Sequence, residues 1–217
     1  MDIATKIQIP VLPELAFEEE THTYTLRGQA IPSVTQILKY LPSDDYASVP
    51  DYILQNAAAR GTAVHEAIEF YVQYGSDEYD EEYAPYVEAF KGFWSGLNGA
   101  VALGNEIPVY YDDCDDEALK ELYGLPYAGT LDMLAAVDNE IWLMDFKCTS
   151  SVSKGLKKKY ALQLEAYSQA LRKFGIAVDR KKVVQLLKDG KHRVYDFPAD
   201  DTYSWSVFRS LRAVKNF

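Results

Sequence analysis

The chain has 217 residues, of which 48% are hydrophobic, and a formal net charge of −11 at pH 7. This length and composition predict one substantial core in a single domain over residues 1–217, and no apolar run is long enough to span a membrane. The N-terminus has neither the apolar core of a secretory signal nor the arginines of a transit peptide. The two cysteines, Cys114 and Cys148, are too few for an iron–sulfur cluster or a four-cysteine zinc site. We therefore expect a soluble protein of a reducing, cytoplasmic compartment.

The charge is unevenly distributed along the chain. Residues 1–145 contain 6 Lys and Arg against 27 Asp and Glu, whereas residues 146–217 contain 16 against 6. The balances are −21 and +10, so the basic last third can present a phosphate-binding face that the overall charge hides. The alternative is a chain whose two parts only neutralise each other, and charge alone does not decide between them.

Residues 1–45 are predicted to form an extended arm, a small hairpin and a short helix. Residues 17–31 alternate in hydrophobicity around a turn at Arg27-Gly28. Ser33 occupies the N-cap position of the short helix, and Gln36 follows in the capping-box position.

Two amphipathic helices are predicted next, over residues 51–74 and 83–97, with an acidic loop between them. Gly61 in the first helix costs about 1 kcal/mol relative to alanine, which indicates a close approach of its backbone to another element or to a substrate. The predicted inner stripe of this helix is Leu54, Ala57, Gly61, Val64, His65, Ile68 and Val72.

The rest of the chain alternates between predicted strands and helices. An acidic loop over residues 112–121 lacks the EF-hand spacing, so a solvated connector is favoured over a calcium site. The order of elements predicts an α/β fold with a mixed β-sheet flanked by helices. The predicted elements are a strand over 101–111, a hairpin over 127–147, a helix over 156–174, a hairpin over 183–197 and a helix over 201–214.

The first of these hairpins holds two carboxylates in facing positions. The pair Asp138-Asn139 suits a two-residue turn, which sets Val137 opposite Glu140. The same register sets Asp132 directly opposite Asp145, where like charges repel. A divalent cation between them removes the repulsion, and carboxylate oxygens are the ligands that Mg²⁺ and Mn²⁺ prefer.

Lys147 lies two residues after Asp145 and therefore on the same face of the strand. This strand is apolar on both faces until its charged end, as expected where a buried sheet opens into a site. A shift of register by one residue would place the aspartates on opposite faces. An ordinary hairpin with solvated end charges is therefore the alternative.

Polar residues also lie within the predicted apolar stripes of two helices. His65 and Glu69 share one helix face, and a lone histidine there is usually a core residue, but beside two carboxylates it becomes a candidate metal ligand. Gln163 and Tyr167 lie four residues apart on the helix over 156–174. They are expected to bond to the backbone in the core, to orient the site lysine or to hold a phosphate.

A polar and basic stretch follows Lys147. Thr149 and Ser150 are candidates to donate to a phosphate or to cap the next helix. A run of lysines is usually only a solvated face, but beside a phosphodiester site it would also hold the nucleic-acid backbone. These lysines are Lys154, Lys157, Lys158 and Lys159.

These motifs, in this order, resemble the PD-(D/E)XK nuclease superfamily and are similar to its RecB-type exonuclease branch. A D-x-K motif alone is common, whereas several elements in the right order and spacing are specific. The matching segments are G-x-x-x-H at Gly61–His65, G-x-x-D at Gly129–Asp132, D-x-K at Asp145–Lys147 and Q-x-x-x-Y at Gln163–Tyr167.

Upstream of these motifs, His22-x-Tyr24 and residues 32–35 resemble the lead-in of small phage-type nucleases and of the mitochondrial genome maintenance exonuclease. The resemblance spans roughly residues 17–175. The iron–sulfur nucleases of the same branch are disfavoured because four cysteines are lacking.

The resemblance implies a restriction-endonuclease-like core and hydrolysis of DNA with Mg²⁺ or Mn²⁺ as cofactor. It implies that His65, Asp132, Asp145 and the Phe146 carbonyl bind the metal. Glu106 matches an acidic position before the hairpin less specifically.

The resemblance also implies which residues act beside the metal. The implied catalytic set is Asp132, Asp145, the lysine Lys147 and the supporting pair Gln163 and Tyr167. The family often has Thr or Ser directly after the lysine, and this chain departs from it with Cys148.

The function implied is an exonuclease of phage or bacterial DNA processing, recombination or repair. Its partners would be DNA ends, single-stranded or duplex, and a single-strand-binding or annealing protein is a further candidate. Three alternatives stay open: a DNA endonuclease, a catalytically silent nucleic-acid-binding module on the same fold, and a structural or partner-binding protein that works through its acidic N-terminal part.

Overall fold

The computed structural model describes residues 3–42, 49–113, 116–124, 126–150, 152 and 154–216. These residues form a mixed α/β structure with a three-stranded and a five-stranded β-sheet flanked by helices, which confirms the predicted class. Within these ranges, no helix combines the length and apolarity needed to cross a membrane.

The N-terminal part forms a small antiparallel sheet followed by one helical turn. Arg27 and Gly28 have φ angles of 51° and 81°, as a two-residue hairpin turn requires. The predicted hairpin and cap are confirmed, because helix α1 (Val34–Ile37) begins with a capping box between Ser33 and Gln36. The strands are β1 (Leu15–Glu18), β2 (Thr23–Leu26) and β3 (Gln29–Ile31).

The central sheet has five strands in sequence order. The pair β6–β7 is parallel and the other neighbours are antiparallel, so the sheet is mixed as predicted. β5 and β6 are buried on both faces over most of their length, which explains their apolar sequences. The strands are β4 (Val101–Tyr111), β5 (Tyr127–Val137), β6 (Glu140–Lys147), β7 (Arg180–Leu186) and β8 (His192–Phe197).

Helices cover both faces of this sheet. On β6, Ile141 and Leu143 pack in the cluster that contains the last two helices, while Met144 and Phe146 pack with the first long helices. The predicted alternation of faces is therefore confirmed, and Asp145 follows the face of Leu143. One layer contains α2 (Asp51–Tyr74) and α3 (Ala84–Ser95), and the other contains α5 (Lys154–Lys173) and α6 (Thr202–Asn216).

The β5–β6 hairpin has the predicted turn and register. Asp138 and Asn139 have φ angles of 50° and 65°, and Val137 pairs with Glu140. The paired ladder ends at Met133 and Met144, one step before the two aspartates. Beyond that point β5 and β6 are connected by a bond from the Phe146 backbone N–H to the Asp132 side chain.

Two predictions differ from the structure. The acidic stretch 112–121 is not all loop, because helix α4 (Glu117–Tyr123) begins within it. Residues 114 and 115, the first of which is Cys114, lie outside the described residues. The predicted inner stripe of α2 is buried only in its second half, at Val64 and Ile68. Its first half lines a cavity instead, as described below.

Candidate active site

Three side chains from three elements meet at the open end of β5 and β6. His65 Nδ1 lies 3.2 Å from Glu106 Oε1, and His65 Nε2 lies 3.6 Å from Asp132 Oδ2 and 3.1 Å from the Phe146 carbonyl oxygen. One ligand atom from each of His65, Glu106 and Asp132 falls within 4.8 Å of the others. An imidazole, two carboxylates and a carbonyl therefore converge on one small volume.

Asp132 is held in place by the backbone of the neighbouring strand. The Phe146 N–H donates to Asp132 Oδ2 over 2.6 Å. A short bond from a backbone amide to a carboxylate is charge-assisted and fixes the orientation of the acceptor. This side-chain bond connects the strands at the point where the β5–β6 ladder has ended.

Asp145 is placed beside this cluster and pairs with Lys147. Lys147 Nζ donates to Asp145 Oδ1 over 2.8 Å, and Gln163 Nε2 donates to the same oxygen over 3.0 Å. Asp145 Oδ2 lies 2.8 Å from Lys147 Nζ, but it accepts no hydrogen bond from the described part of the chain although it is buried. The structure thus brings His65 and Asp132 together as predicted. Asp145 forms its ion pair with Lys147.

The electrostatics of the site follow from this crowding of charges. Burial alone would lower the pKa of His65, but the Asp132 and Glu106 carboxylates outweigh it and raise the pKa to about 9. Burial raises the pKa of Asp145 to about 6 although Lys147 opposes the change. Burial opposes the charge on Lys147 as well, yet Asp145 and Asp132 raise its pKa above the ordinary range. Lys147 is therefore a cation at neutral pH.

Helix α5 supplies the support that the Q-x-x-x-Y motif predicts. Gln163 and Tyr167 are buried, and neither lines the cavity, so their contacts favour the supporting role over phosphate binding. The Tyr167 hydroxyl bonds to Gln163, which in turn holds Asp145. A Cβ atom on Gly129 would lie 2.7 Å from Tyr167 Cε1, so only glycine fits under the ring.

Glu106 is the site residue that sequence reasoning left least defined. Its neighbours in β4 pair with Met133 and Leu131, so Glu106 lies opposite Asp132 across the two strands. Its φ angle is 46°, a left-handed conformation that is unusual for glutamate in a strand. Backbone strain of this kind concentrates at functional sites, where the surrounding structure holds it. A charged residue at a mid-strand position was the available sequence signal.

A cavity of about 910 Å³ opens over the site. One wall is the first half of α2, including Leu54, Ala57 and Gly61 from the predicted stripe. No described atom lies within 4 Å of a Cβ built on Gly61, so its backbone does not approach another element as one interpretation expected. Glycine there leaves open space in the cavity wall, which agrees with the other interpretation, access for a substrate.

The remaining predicted residues lie at the rim or beyond it. Thr149 and Ser150 line the cavity, and α5 begins at Lys154, four residues after Ser150. The Thr149 carbonyl accepts a 2.6 Å bond from Gln185 of β7. The lysines predicted to hold nucleic acid are exposed on the first turns of α5, outside the cavity lining: Lys154, Lys157 and Lys158.

Comparison with known proteins adds little to this geometry. No family model matches the chain, and no curated protein matches it. Among solved structures, the chain is similar to "Crystal structure of SSO0001", with 15% identity, over 72% of this chain and 75% of that chain, at a TM-score of 0.36. A similarity this low carries no argument about family or function, so the case for function depends on the site residues.

Proposed function

We propose that this protein is a Mg²⁺- or Mn²⁺-dependent deoxyribonuclease with a restriction-endonuclease-like core, acting as an exonuclease. The observation that supports the proposal is the convergence of His65, Glu106, Asp132 and the Phe146 carbonyl directly beside the pair of Asp145 and Lys147. Metal ligands next to a partly buried, carboxylate-held lysine form a recurrent arrangement for hydrolysing phosphodiesters in the superfamily that the motifs resemble.

The donor set fits a hard divalent cation. Carboxylate and carbonyl oxygens with one imidazole suit Mg²⁺ and Mn²⁺, and two cysteines in the whole chain make a soft metal unsuitable. Asp145 Oδ2 is a buried oxygen that accepts no hydrogen bond from the described residues, although Lys147 Nζ lies 2.8 Å from it. Asp132, Glu106 and His65 would hold the ion, and Asp145 would contribute through this oxygen. A bound ion of this kind polarises a phosphate and lowers the pKa of a coordinated water.

The residues around the ion supply positioning and charge. Lys147 is a cation at neutral pH, so it would donate a hydrogen bond to the attacking water or the scissile phosphate and offset developing negative charge. Asp145 holds this ammonium, and Gln163 holds Asp145 in turn, because Lys147 Nζ and Gln163 Nε2 donate to the same oxygen, Asp145 Oδ1. Preorganised charge of this kind contributes to catalysis because it needs no rearrangement during the reaction.

DNA contacts would come from the basic last third of the chain. Thr149 and Ser150 line the cavity and offer hydroxyls to the strand that enters it. Lys154, Lys157 and Lys158 are exposed at the start of α5, where they can neutralise phosphates farther out. Exonuclease action, a role in phage or bacterial DNA recombination or repair, a cytoplasmic location and a single-strand-binding or annealing partner belong to the proposal through the resemblance alone.

The test is cleavage of end-labelled linear DNA, single-stranded and duplex, with Mg²⁺, Mn²⁺ or chelator, comparing the wild type with Lys147→Ala. Metal-dependent shortening that the variant lacks supports the nuclease, and the position of the label gives the polarity. A covalently closed circle separates an endonuclease, which opens it, from an exonuclease, which does not. A folded wild type that binds DNA equally well in chelator and cleaves nothing would be a binding module instead.

A further inference from the structure

A second cavity of about 440 Å³ adjoins the active-site cavity. The two share three lining residues, Arg60, Thr149 and Ser150, so they are compartments of one continuous surface depression. The far wall of the second cavity is the β7–β8 turn with Lys188 and Asp189. A strand whose scissile phosphate lies at the metal ligands could therefore continue past Arg60 into the second compartment.

Arg60 is fixed at the junction by two contacts. Its Nη2 donates to the Cys148 carbonyl oxygen over 3.1 Å, which ties the guanidinium to the residue directly after Lys147. Its guanidinium carbon lies 5.4 Å from the centre of the Tyr86 ring, within the range of a cation–π contact. A planar cation held at both ends in this way is preorganised to present its remaining donors in one direction.

One of those remaining donors has no partner among the described residues. Arg60 Nε is buried and makes no hydrogen bond to any described residue, and none of the ion pairs between described side chains includes Arg60. A buried donor without a partner costs free energy, so an incoming acceptor would be favoured there. This distinguishes Arg60 from Arg180, whose guanidinium is already bonded to both carboxylate oxygens of Glu140.

The second cavity carries net positive charge. Lys188 is exposed at its wall, and Asp189 is engaged within its own turn, where its carboxylate accepts from the Lys191 backbone and lies 3.3 Å from Lys191 Nζ. Ser150 adds a hydroxyl from the side of the active site. A guanidinium, an ammonium and a hydroxyl around a small open volume are the groups that bind a phosphate.

We propose that Arg60, together with Ser150 and Lys188, forms a phosphate subsite that holds the substrate strand next to the scissile phosphate. The inference rests on the proposed nuclease function and adds the direction in which the strand leaves the metal ligands: along the N-terminal half of α2 towards the β7–β8 turn. Arg60 is a binding and positioning residue here, and Lys147 keeps its separate role at the reacting phosphate.

The test compares Arg60→Met with Arg180→Met, which removes the same charge from the opposite end of β6. For Arg60→Met we expect KM for DNA to rise about 10-fold, since hydrogen bonds to charged groups contribute about 1.5 kcal/mol or more, while kcat stays within about twofold. The slope of log KM against log salt concentration should fall by about 0.7 for a single strand, as the loss of one phosphate contact requires. Arg60→Lys should recover part of the change, and Arg180→Met should leave KM and its salt slope at wild-type values.

The result for the wild type tests the proposed nuclease function, and the result for Arg60→Met tests the phosphate subsite. A wild type that cleaves no DNA contradicts the nuclease proposal itself. An active wild type with KM and salt slope unchanged in Arg60→Met contradicts the phosphate subsite alone, and so does a fall in kcat with KM unchanged. If Arg60→Met melts below the assay temperature, Lys188→Met is tested instead, because the Lys188 side chain is exposed and can be replaced without disturbing the core. Like Arg60→Met, the Lys188→Met variant should have a higher KM for DNA and a smaller slope of log KM against log salt concentration.

The phosphate could be an internal phosphodiester or a terminal phosphomonoester, and substrates distinguish them. Neutral methylphosphonate linkages are placed one at a time along the strand, and in a second series the terminal phosphate is removed. If the contact is to an internal phosphodiester, the difference in KM between the wild type and Arg60→Met disappears when the methylphosphonate stands at one particular position. If the contact is to a terminal phosphomonoester, the difference in KM disappears when the terminal phosphate is removed. If no substrate in either series abolishes the difference, Arg60 does not bind a phosphate of the substrate.

Discussion

Helix α5 covers two buried ion pairs on the same face of the sheet, and they differ in how completely their hydrogen bonds are satisfied. Lys181 of β7 donates to Glu165, both side chains are 1% exposed, and the other Glu165 oxygen accepts a 2.7 Å bond from Gln169. In the pair of Lys147 and Asp145, the lysine is 25% exposed to the cavity and one aspartate oxygen has no hydrogen bond from the described residues.

The difference is the one expected between a structural pair and the pair that we propose to be functional. Burying two charges is costly, and a sealed pair such as Lys181 and Glu165, in which both carboxylate oxygens accept a bond, only limits that cost. The pair Lys147 and Asp145 bears the same cost but retains an exposed cation and a spare acceptor beside other charged groups. Unfinished bonding at the end of an otherwise satisfied sheet is what a site that awaits a ligand should show.

The largest expected effect is on activity at the open pair. Lys147→Met should lower kcat for DNA cleavage by about 10²–10⁴-fold, the usual contribution of a positioned proton donor or acceptor. Its free energy of unfolding should change less than that of the corresponding change in the sealed pair, because the lysine is partly solvated and Gln163 still bonds Asp145. Single-turnover cleavage and urea unfolding measure the two quantities on the same samples. Cleavage at the wild-type rate would contradict the role given to Lys147.

The reverse pattern is expected at the sealed pair. Lys181→Met leaves the Glu165 charge buried without its partner, so the free energy of unfolding should fall by about 3–5 kcal/mol. Cleavage measured well below the melting temperature should persist, because neither residue lines the active-site cavity. Chemical denaturation gives the first value and the cleavage assay the second.

A double variant is the control for that prediction. Lys181→Met combined with Glu165→Leu removes both charges, so it should recover most of the stability lost in the single variant. If the double variant is as unstable as Lys181→Met alone, lost packing and not an unpaired charge is the cause, and the contrast between the two pairs weakens.

A smaller effect is expected from pH in the presence of chelator. The pKa of His65 is raised to about 9 from its ordinary 6.5, so its ion pairs stabilise the folded chain fully below pH 6.5 and are lost as pH rises through about 9. We expect the free energy of unfolding to fall by about 3 kcal/mol over this window, at about 1.36 kcal/mol per pKa unit. His65→Gln should remove the dependence, and a wild-type curve that is flat from pH 6.5 to 9 would contradict the charge coupling of the cluster.

The smallest expected effect is stabilisation by the metal itself. At a Mg²⁺ or Mn²⁺ concentration tenfold above the dissociation constant, the gain is about 1.4 kcal/mol, or a rise in melting temperature of about 3–5 °C for a chain of this size. Asp132→Asn should abolish the shift, and Asp196→Asn, a carboxylate that is 72% exposed, should retain it. Equal shifts in both variants would mean that the ion binds elsewhere.

Local patterns predicted much of the fold. The capping box at Ser33, the Asp138-Asn139 turn and the alternating faces of β6 are each set by neighbours in sequence, and all three are confirmed. The acidic stretch 112–121 was the weak point, because the helix that begins within it has only seven residues, too few to reveal a helical period. The first half of the α2 stripe was misassigned for another reason: a stripe that lines a cavity and one that faces the core have the same spacing.

The sequence by itself determined which chemistry-bearing residues this protein has and the register that brings Asp132 and Asp145 to the same end of one hairpin, because turn type and strand period are local properties. Only the tertiary structure decided that Gln163 holds Asp145, that Glu106 reaches His65, and that Arg60 is held at the Cys148 carbonyl. These contacts join residues far apart in the chain, and they depend on how α2, β4 and α5 pack on the sheet, which no local pattern specifies.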